Sequence, residues 1–274
     1  MANRGQSFRD FEQAGWENSS VCVQYHEHLS AVTTQSVHAL LEAAGIRKGS
    51  RVLDVATGAG YVAGAAVQRG ANATGIDFSA TQVRMAREKY PTARFEQADA
   101  EALPFYPDTF DAVVSAFGMC HLPNPEVALR EAFRVLKPGG RVAFTVWDVP
   151  ERAVGFGAAY AAIRAHGSID VGLPVGPNFF LFSDPEKSKK ALMNAGFVSP
   201  SCLQVPQGWR ISNPDSVFEV LNEGTVRVAA TLRAQTPRAR EAIQAALRDA
   251  VTVYKRGDFY EVPMPAILAA AVKP

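Results

Sequence analysis

The sequence predicts an α/β fold built on a parallel sheet. Three observations carry that prediction. Short apolar runs rich in branched residues alternate with helical patterns at the spacing of βαβ units. A glycine-rich turn separates the first such run from the helix after it. The composition, 274 residues with 47% apolar and 20% charged, is that of a globular chain. Such a length fits one large domain or two small ones, with ample core.

Residues 8–45 read as helices, with Val32, Val37, Leu40 and Leu41 at helical spacing and Gly45 as the stop. RVLDVA (51–56) is a short, branched strand ending in small residues. TGAGYVAGAAVQRG follows as a glycine-rich turn opening into a helix that stops at Gly70. ATGIDF (73–78) is the second strand, TQVRMAREKY (81–90) the next helix and ARFEQADA (93–100) the third strand. TFDAVVSAFG (109–118) is the fourth. PEVALREAFRVL (125–136) is a helix closed by Lys137-Pro138-Gly139-Gly140, and RVAFTVWD (141–148) is the fifth strand.

Beyond 148 the pattern loosens. A helix is expected over 151–166, then a Gly/Pro-rich loop through Pro177. FSDPEKSKKALMNAGF (182–197) reads as a helix with Ser183 or Asp184 near its N-cap and Gly196 past its end. SCLQVPQGWRI (201–211) and VPMPAILAAAV (262–272) read as strands, with 215–255 mostly helical between them. There is no internal repeat, and these pieces read as additions to one domain. Right-handed crossovers put helices on both faces of such a sheet. Its ligands bind at the carboxyl ends of the strands, near the switch in strand order. The residues to watch are therefore 54–60, 77–82, 99–100 and 115–121.

Charge and cysteine use narrow the function. Lys and Arg number 28 against 27 Asp and Glu, a formal charge of +1. A near-neutral chain has no global pull on phosphate backbones or anionic lipid, so neither nucleic acid nor membrane is expected as partner. Cys22, Cys120 and Cys202 form no disulfide framework and no C-x-x-C motif, and no metal site is expected. MANRGQSFRDFEQAGWENSS lacks the apolar core of a leader, and no apolar run reaches the ~20 residues of a membrane helix. A cytoplasmic protein is the expectation.

The richest local signal is DVATGAG (54–60). Glycines there let the backbone approach a ligand, and helix-start N–H groups point at it. Asp77 ends the next strand, where a carboxylate can accept both hydroxyls of a ribose. GAGYVA (58–63) also matches the dinucleotide fingerprint G-x-G-x-x-A, which points to an NAD(P)-dependent oxidoreductase. Asp54 argues against that: its charge would repel a pyrophosphate and suits an ammonium group. Asp54 as a plain strand-end cap and Asp77 as a helix N-cap, with Ser79 as rival, are the structural alternatives.

The runs VLDVATGAG, GIDFS, FEQADAEALPF and FDAVVSAFGMCHLPNPEVALREAFRVLKPGGRVAFTVW, in that order, resemble the class I S-adenosylmethionine-dependent methyltransferases. The likeness is strongest to the small-molecule branch that includes the ubiquinone/menaquinone-biosynthesis enzymes. It is close over 46–148 and looser over 8–45 and 182–272. It implies a Rossmann-like, seven-stranded, mostly parallel sheet with an N-terminal helical cap and helical insertions. Residues 1–274 would then form a single methyltransferase domain: cap 8–45, cofactor core 46–148, and substrate-pocket additions with the last strands over 149–274.

Carried over by position, the resemblance implies that Asp54 and the backbone around Ala56, Gly58 and Gly60 hold the methionine end of S-adenosylmethionine. Asp77 would bind the ribose, and Phe78 would pack on the adenine. Asp99 would accept from the adenine amino group, and Ala100 would offer its N–H. Phe117 would line the channel toward the sulfonium. Ala56 stands where the family usually has glycine. Gln82 stands where it often has methionine, and either touches the adenosine or faces solvent.

Methyl transfer from a sulfonium needs alignment first, and a base only where the acceptor must lose a proton. Of His26, His28, His38, His121 and His166, His121 is the base candidate, because it lies just past the fourth strand. Packing of its own loop is the alternative role. Tyr25 is the second catalytic candidate; in the resembling enzymes a tyrosine in such a Trp16…Tyr25 arrangement closes over the cofactor. The acceptor pocket is expected from 8–28, 151–182 and 205–230. Phe156, Tyr160, Phe179, Phe180, Phe182 and Trp209 supply its aromatic material or ordinary core. Glu223 and Arg227 are expected one turn apart on a helix as a solvated pair. A nucleic-acid methylase is disfavoured by Ser115-Ala116-Phe117-Gly118, which lacks the [ND]-P-P-[FY] of amino-directed enzymes. A non-methylating protein of the same fold remains open.

Overall fold

Short branched runs such as Val52-Leu53 and Val113-Val114 lie within strands of the first half. The computed structural model describes residues 7–274. Residues 1–6, part of the stretch read for a leader, lie outside the described residues. The chain opens with helices α1 (Phe8–Glu17), α2 (Ser19–His28), α3 (Ser30–Thr33) and α4 (Val37–Ala43). Then come β1 (Arg51–Val55), α5 (Tyr61–Gln68), β2 (Asn72–Asp77), α6 (Ala80–Lys89), β3 (Arg94–Gln97) and β4 (Phe110–Ala116). α7 (Pro125–Val135), β5 (Leu136–Trp147), α8 (Val154–His166), α9 (Pro185–Asn194), β6 (Val198–Val205) and β7 (Gly208–Ile211) follow. The chain closes with α10 (Ser216–Glu223), α11 (Arg227–Arg233), α12 (Pro237–Thr252), β8 (Lys255–Arg256), β9 (Phe259–Pro263) and β10 (Ala266–Val272).

The chain divides into two compact units. The larger comprises residues 33–147, 177–205 and 266–274. It holds a seven-stranded sheet in the order β3-β2-β1-β4-β5-β10-β6. β1 pairs in parallel with β2 and β4, β2 with β3, and β4 with β5. β10 runs antiparallel to both β5 and β6. The expected mostly parallel, Rossmann-like sheet is therefore present, with its switch in order between β1 and β4. Alternate strand residues (Leu53, Val113, Val142, Phe144) join Leu129 and Ala132 of α7 and Leu192 of α9 in one apolar core. α4 and α5 pack on β1, β2, β4 and β5 without entering that core, so helices cover both faces.

The smaller unit comprises residues up to 32, 148–176 and 206–265. It holds α1, α2, α8, α10, α11, α12 and a three-stranded sheet in the order β7-β9-β8. Here the structure corrects the sequence reading. The expected strand 201–211 is two strands, β6 and β7, in different sheets, and 262–272 is likewise β9 and β10. The break in each contains a proline, Pro206 and Pro265, whose missing N–H cannot serve a ladder. Glu223 and Arg227 do not share a helix: Gly224 ends α10, and Arg227 begins α11 and donates to the Pro174 carbonyl at 2.8 Å. LKPGG, expected as a helix closure, already belongs to β5, with Gly139 at φ +78°. None of the described helices is long and apolar enough to cross a membrane.

Candidate active site

The carboxyl ends of β1, β2 and β4 gather most of the predicted site residues, all in the larger unit. Asp54 is 1% exposed. Its Oδ2 accepts from the Thr57 hydroxyl at 2.6 Å and from the Ala63 N–H at 3.0 Å. Its Oδ1 is buried with no hydrogen-bond donor among the described residues. Burial pushes the carboxyl up to about 7, against the pull of the Thr57 and Ala63 donors, and the neighbouring Asp77 charge adds to the rise. The Thr57 and Ala63 donors both fall on Oδ2 of Asp54, and neither reaches Oδ1.

The loop after it is left-handed at three points: Ala56 (φ +55°), Gly58 (+53°) and Gly60 (+82°). This explains why glycine is usual where Ala56 stands, since a Cβ is costly in that region. A Cβ on Gly60 would lie 2.7 Å from the Phe95 ring. Gly60 then opens α5 as its N-cap.

Asp77, 5% exposed, reaches back to this loop. Its Oδ2 accepts from the Gly58 N–H at 2.9 Å, and its Oδ1 from the Ser79 N–H at 3.0 Å. Capping of α6 falls to Ser79, whose hydroxyl accepts from the Gln82 N–H at 3.1 Å. Gln82 is 4% exposed, so the solvent-facing alternative is overturned: the first turn of α6 turns it inward. Phe78 is half-buried, its carbonyl accepting from Gln97 Nε2 at 2.9 Å. Asp99 is half-buried and accepts from the Glu101 N–H at 2.8 Å; Ala100 is buried beside it.

Past β4, Phe117 is also left-handed (φ +56°), its ring 4.3 Å from that of Trp147 at the end of β5. Non-glycine residues held in this region cluster at functional sites. His121 ends the short turn Met119–His121, half-buried and edge-on to Phe179 at 5.9 Å. Tyr25 lies in the smaller unit, on α2, half-buried and edge-on to Trp16 and His26, each at 5.3 Å.

Three residues escaped the sequence reading. Thr57 was quoted within its motif but given no role, although a hydroxyl three residues after a strand-end Asp is a signal. Trp147 had none. Of the two expected cap candidates, Asp184 caps α9, and Ser183 takes a role the sequence did not suggest, donating to the Trp147 carbonyl at 2.6 Å. Phe182, against Phe144 at 5.5 Å, and the buried Phe156 and Trp209 are core; Tyr160, Phe179 and Phe180 are half-buried.

A family described as a methyltransferase domain matches residues 53–144, from the middle of β1 to the middle of β5. The ubiquinone/menaquinone biosynthesis C-methyltransferase of Salmonella arizonae is 32% identical over 188 residues, covering 61% of this chain and 74% of that protein. The chain belongs to the class I S-adenosylmethionine-dependent methyltransferases. The demethylmenaquinone methyltransferase of Streptomyces griseus is 37% identical over 112 residues, 41% of this chain and 49% of that relative. The chain spans about half the length of several of the curated relatives it matches. Among solved structures, phosphoethanolamine N-methyltransferase 2 of Haemonchus contortus, in complex with S-adenosylhomocysteine, is similar in fold. Its TM-score is 0.61 at 21% identity, over 98% of this chain and 60% of that one. Family membership sets aside the dinucleotide reading. The residues present fit the family's cofactor: a buried carboxylate oxygen without a donor suits an ammonium, and the left-handed loop leaves backbone where side chains would stand.

Proposed function

We propose that this methyltransferase moves a methyl group from S-adenosylmethionine to oxygen, carbon or nitrogen of a small, partly apolar metabolite. The observation that carries this is the donorless Oδ1 of Asp54, set one strand away from Asp77 across a left-handed loop. When bound, the cofactor supplies a methyl already activated on a sulfonium. Asp54 holds the methionine ammonium, with Ala56, Gly58 and Gly60 giving it backbone room. Asp77 accepts from the ribose; Phe78, Gln82, Asp99 and Ala100 enclose the adenine. Phe117, fixed against Trp147, orients the reacting end. His121 takes the acceptor's proton where one must leave, and Tyr25 is the second acid–base candidate. Phe179 and Phe180, at 5.0 Å from each other, supply apolar surface beside His121. We assign all residues to one functional domain, in the cytoplasm, with no nucleic-acid or membrane partner.

Calorimetry tests the core of this: S-adenosylhomocysteine binds and NADH does not, and the reverse would sink the reading. Labelled S-adenosylmethionine that binds but gives methyl to no acceptor would favour a non-methylating protein of the same fold. His121→Ala lowers turnover by about 10²–10⁴-fold, the usual worth of a general base, with S-adenosylhomocysteine affinity unchanged. Full activity in that variant removes His121 as the base.

A further inference from the structure

A carboxylate sealed from water is costly to keep charged unless a partner neutralises it. Asp54 shows that problem on one oxygen only. Oδ2 has two donors, the Thr57 hydroxyl and the Ala63 N–H, while Oδ1 has none. Thr57 is itself immobilised. Its N–H donates to the Ile76 carbonyl at 2.9 Å, its carbonyl accepts from the Gly60 N–H at 2.9 Å, and its hydroxyl sits 2.6 Å from where a Cβ on Gly75 would stand. The hydroxyl is therefore aimed at Oδ2 and keeps Oδ1 on the far side.

Among the described residues, the charged groups on the elements around Asp54 offer it no counter-ion. On β2, Asp77 faces it with the same sign. On β4 the only charged residue is Asp111, which accepts from the Arg51 N–H at the opposite end of β1. α5 carries one titratable group, Tyr61, whose ring lies against Tyr90 and Lys89. The loop 56–60 carries none.

We propose that Asp54 exchanges a proton for the cofactor's ammonium group, with Thr57 as the positioning residue that keeps the exchanging oxygen available. This rests on the cofactor reading above. The balance is simple: neutral Asp54 carboxyl plus the ligand ammonium gives an ion pair and one proton released to solvent. No bond of the ligand breaks. Cofactor loading is then pH-gated, favoured as the medium turns alkaline through the range where the empty site loses its proton.

The expected sign follows from linkage. Below about pH 7 the empty site holds a proton that binding must expel, so affinity rises with pH and levels off once the site is ionised. S-Adenosylhomocysteine carries the same ammonium and is the probe. Titration calorimetry in buffers of different ionisation enthalpy should show close to one proton released per site at pH 6 and almost none at pH 8. Affinity should be about tenfold weaker at pH 6 than at pH 8. Asp54→Asn should abolish both the release and the pH dependence. Thr57→Val should weaken binding most at low pH and move the midpoint upward; Thr57→Ser should restore both. Should Asp54→Asn not fold, proton release by the unmodified protein still decides. Binding without proton release at pH 6, release that persists in Asp54→Asn, or a Thr57→Val loss equal at every pH would overturn the inference. No binding at any pH would instead overturn the cofactor reading beneath it.

Discussion

Asp77→Ala will lower the affinity for S-adenosylhomocysteine by about 10²–10⁴-fold. In the reading above this carboxylate accepts from two ribose hydroxyls, and hydrogen bonds to a charged group are worth about 1.5–3 kcal/mol each. Their sum, about 3–6 kcal/mol, converts at a factor of ten per 1.4 kcal/mol. A second effect adds to it. The carboxylate also holds the Gly58 N–H at 2.9 Å and the Ser79 N–H at 3.0 Å, so its loss unties the loop that shapes the methionine end. Asp77→Asn keeps one acceptor for those amides and loses the charge, so its affinity falls between the two. Free adenosine separates the roles. Asp77→Ala weakens adenosine binding by a similar factor, whereas Asp54→Asn leaves it unchanged, because adenosine has no ammonium. Calorimetry on the three proteins checks this; an Asp77→Ala affinity within threefold of the parent would remove Asp77 from the site.

The first half of the fold was legible because its signals are local. RVLDVA and FDAVVSA are short branched runs, and Gly45, Gly70 and Pro125 stand at helix boundaries, so pattern and structure agree there to within a residue or two; the expected third strand runs three residues past Gln97, and β5 begins five residues before the expected Arg141. The second half was not, because strand continuity is decided by partners distant in sequence. Val205 and Gly208 look like one strand until β10 claims the first and β9 the second. The site divides in the same way. Asp54, Gly58, Gly60 and Asp77 follow from a motif whose spacing is a local property. Thr57, Trp147 and Ser183 act through contacts set by tertiary packing, namely a hydroxyl on Asp54, a ring on Phe117 and a hydroxyl on a strand-end carbonyl. The inward turn of Gln82 is intermediate: helical phase from Ser79 foretells it once the cap is assigned to Ser79 rather than Asp77.

The two loops at the switch in strand order press on each other, and this has a measurable consequence. Gly118 has an ordinary backbone, so only space forbids a side chain there. A Cβ at 118 would lie 2.6 Å from the Ala56 Cβ and 2.7 Å from Ser115 Oγ, against about 3.5–4.0 Å for relaxed carbon contacts. Ser115 can turn its hydroxyl away about χ1. Ala56 cannot turn, because its left-handed backbone fixes the direction of its Cβ. Gly118→Ala should therefore cost about 1–3 kcal/mol of unfolding free energy, the usual range for overpacking. It should also weaken S-adenosylhomocysteine binding, since the atom that must yield belongs to the 54–60 loop. Ala56→Gly alone should change stability by less than about 1 kcal/mol. Relief of a left-handed Cβ, about 1–2 kcal/mol, is offset by the entropy of glycine, about 0.5–1 kcal/mol. Together the two changes should not add. With Ala56 shortened to glycine, Ser115 Oγ, which can turn away, is the one atom left within 3 Å of the new methyl at 118, and its cost should fall by at least about 1 kcal/mol, well above the ~0.3–0.5 kcal/mol scatter of independent sites. Denaturant unfolding of the four proteins closes the cycle. Additivity within that scatter would show that the loops yield independently, and that the left-handed turn at Ala56 is not held by the loop after β4.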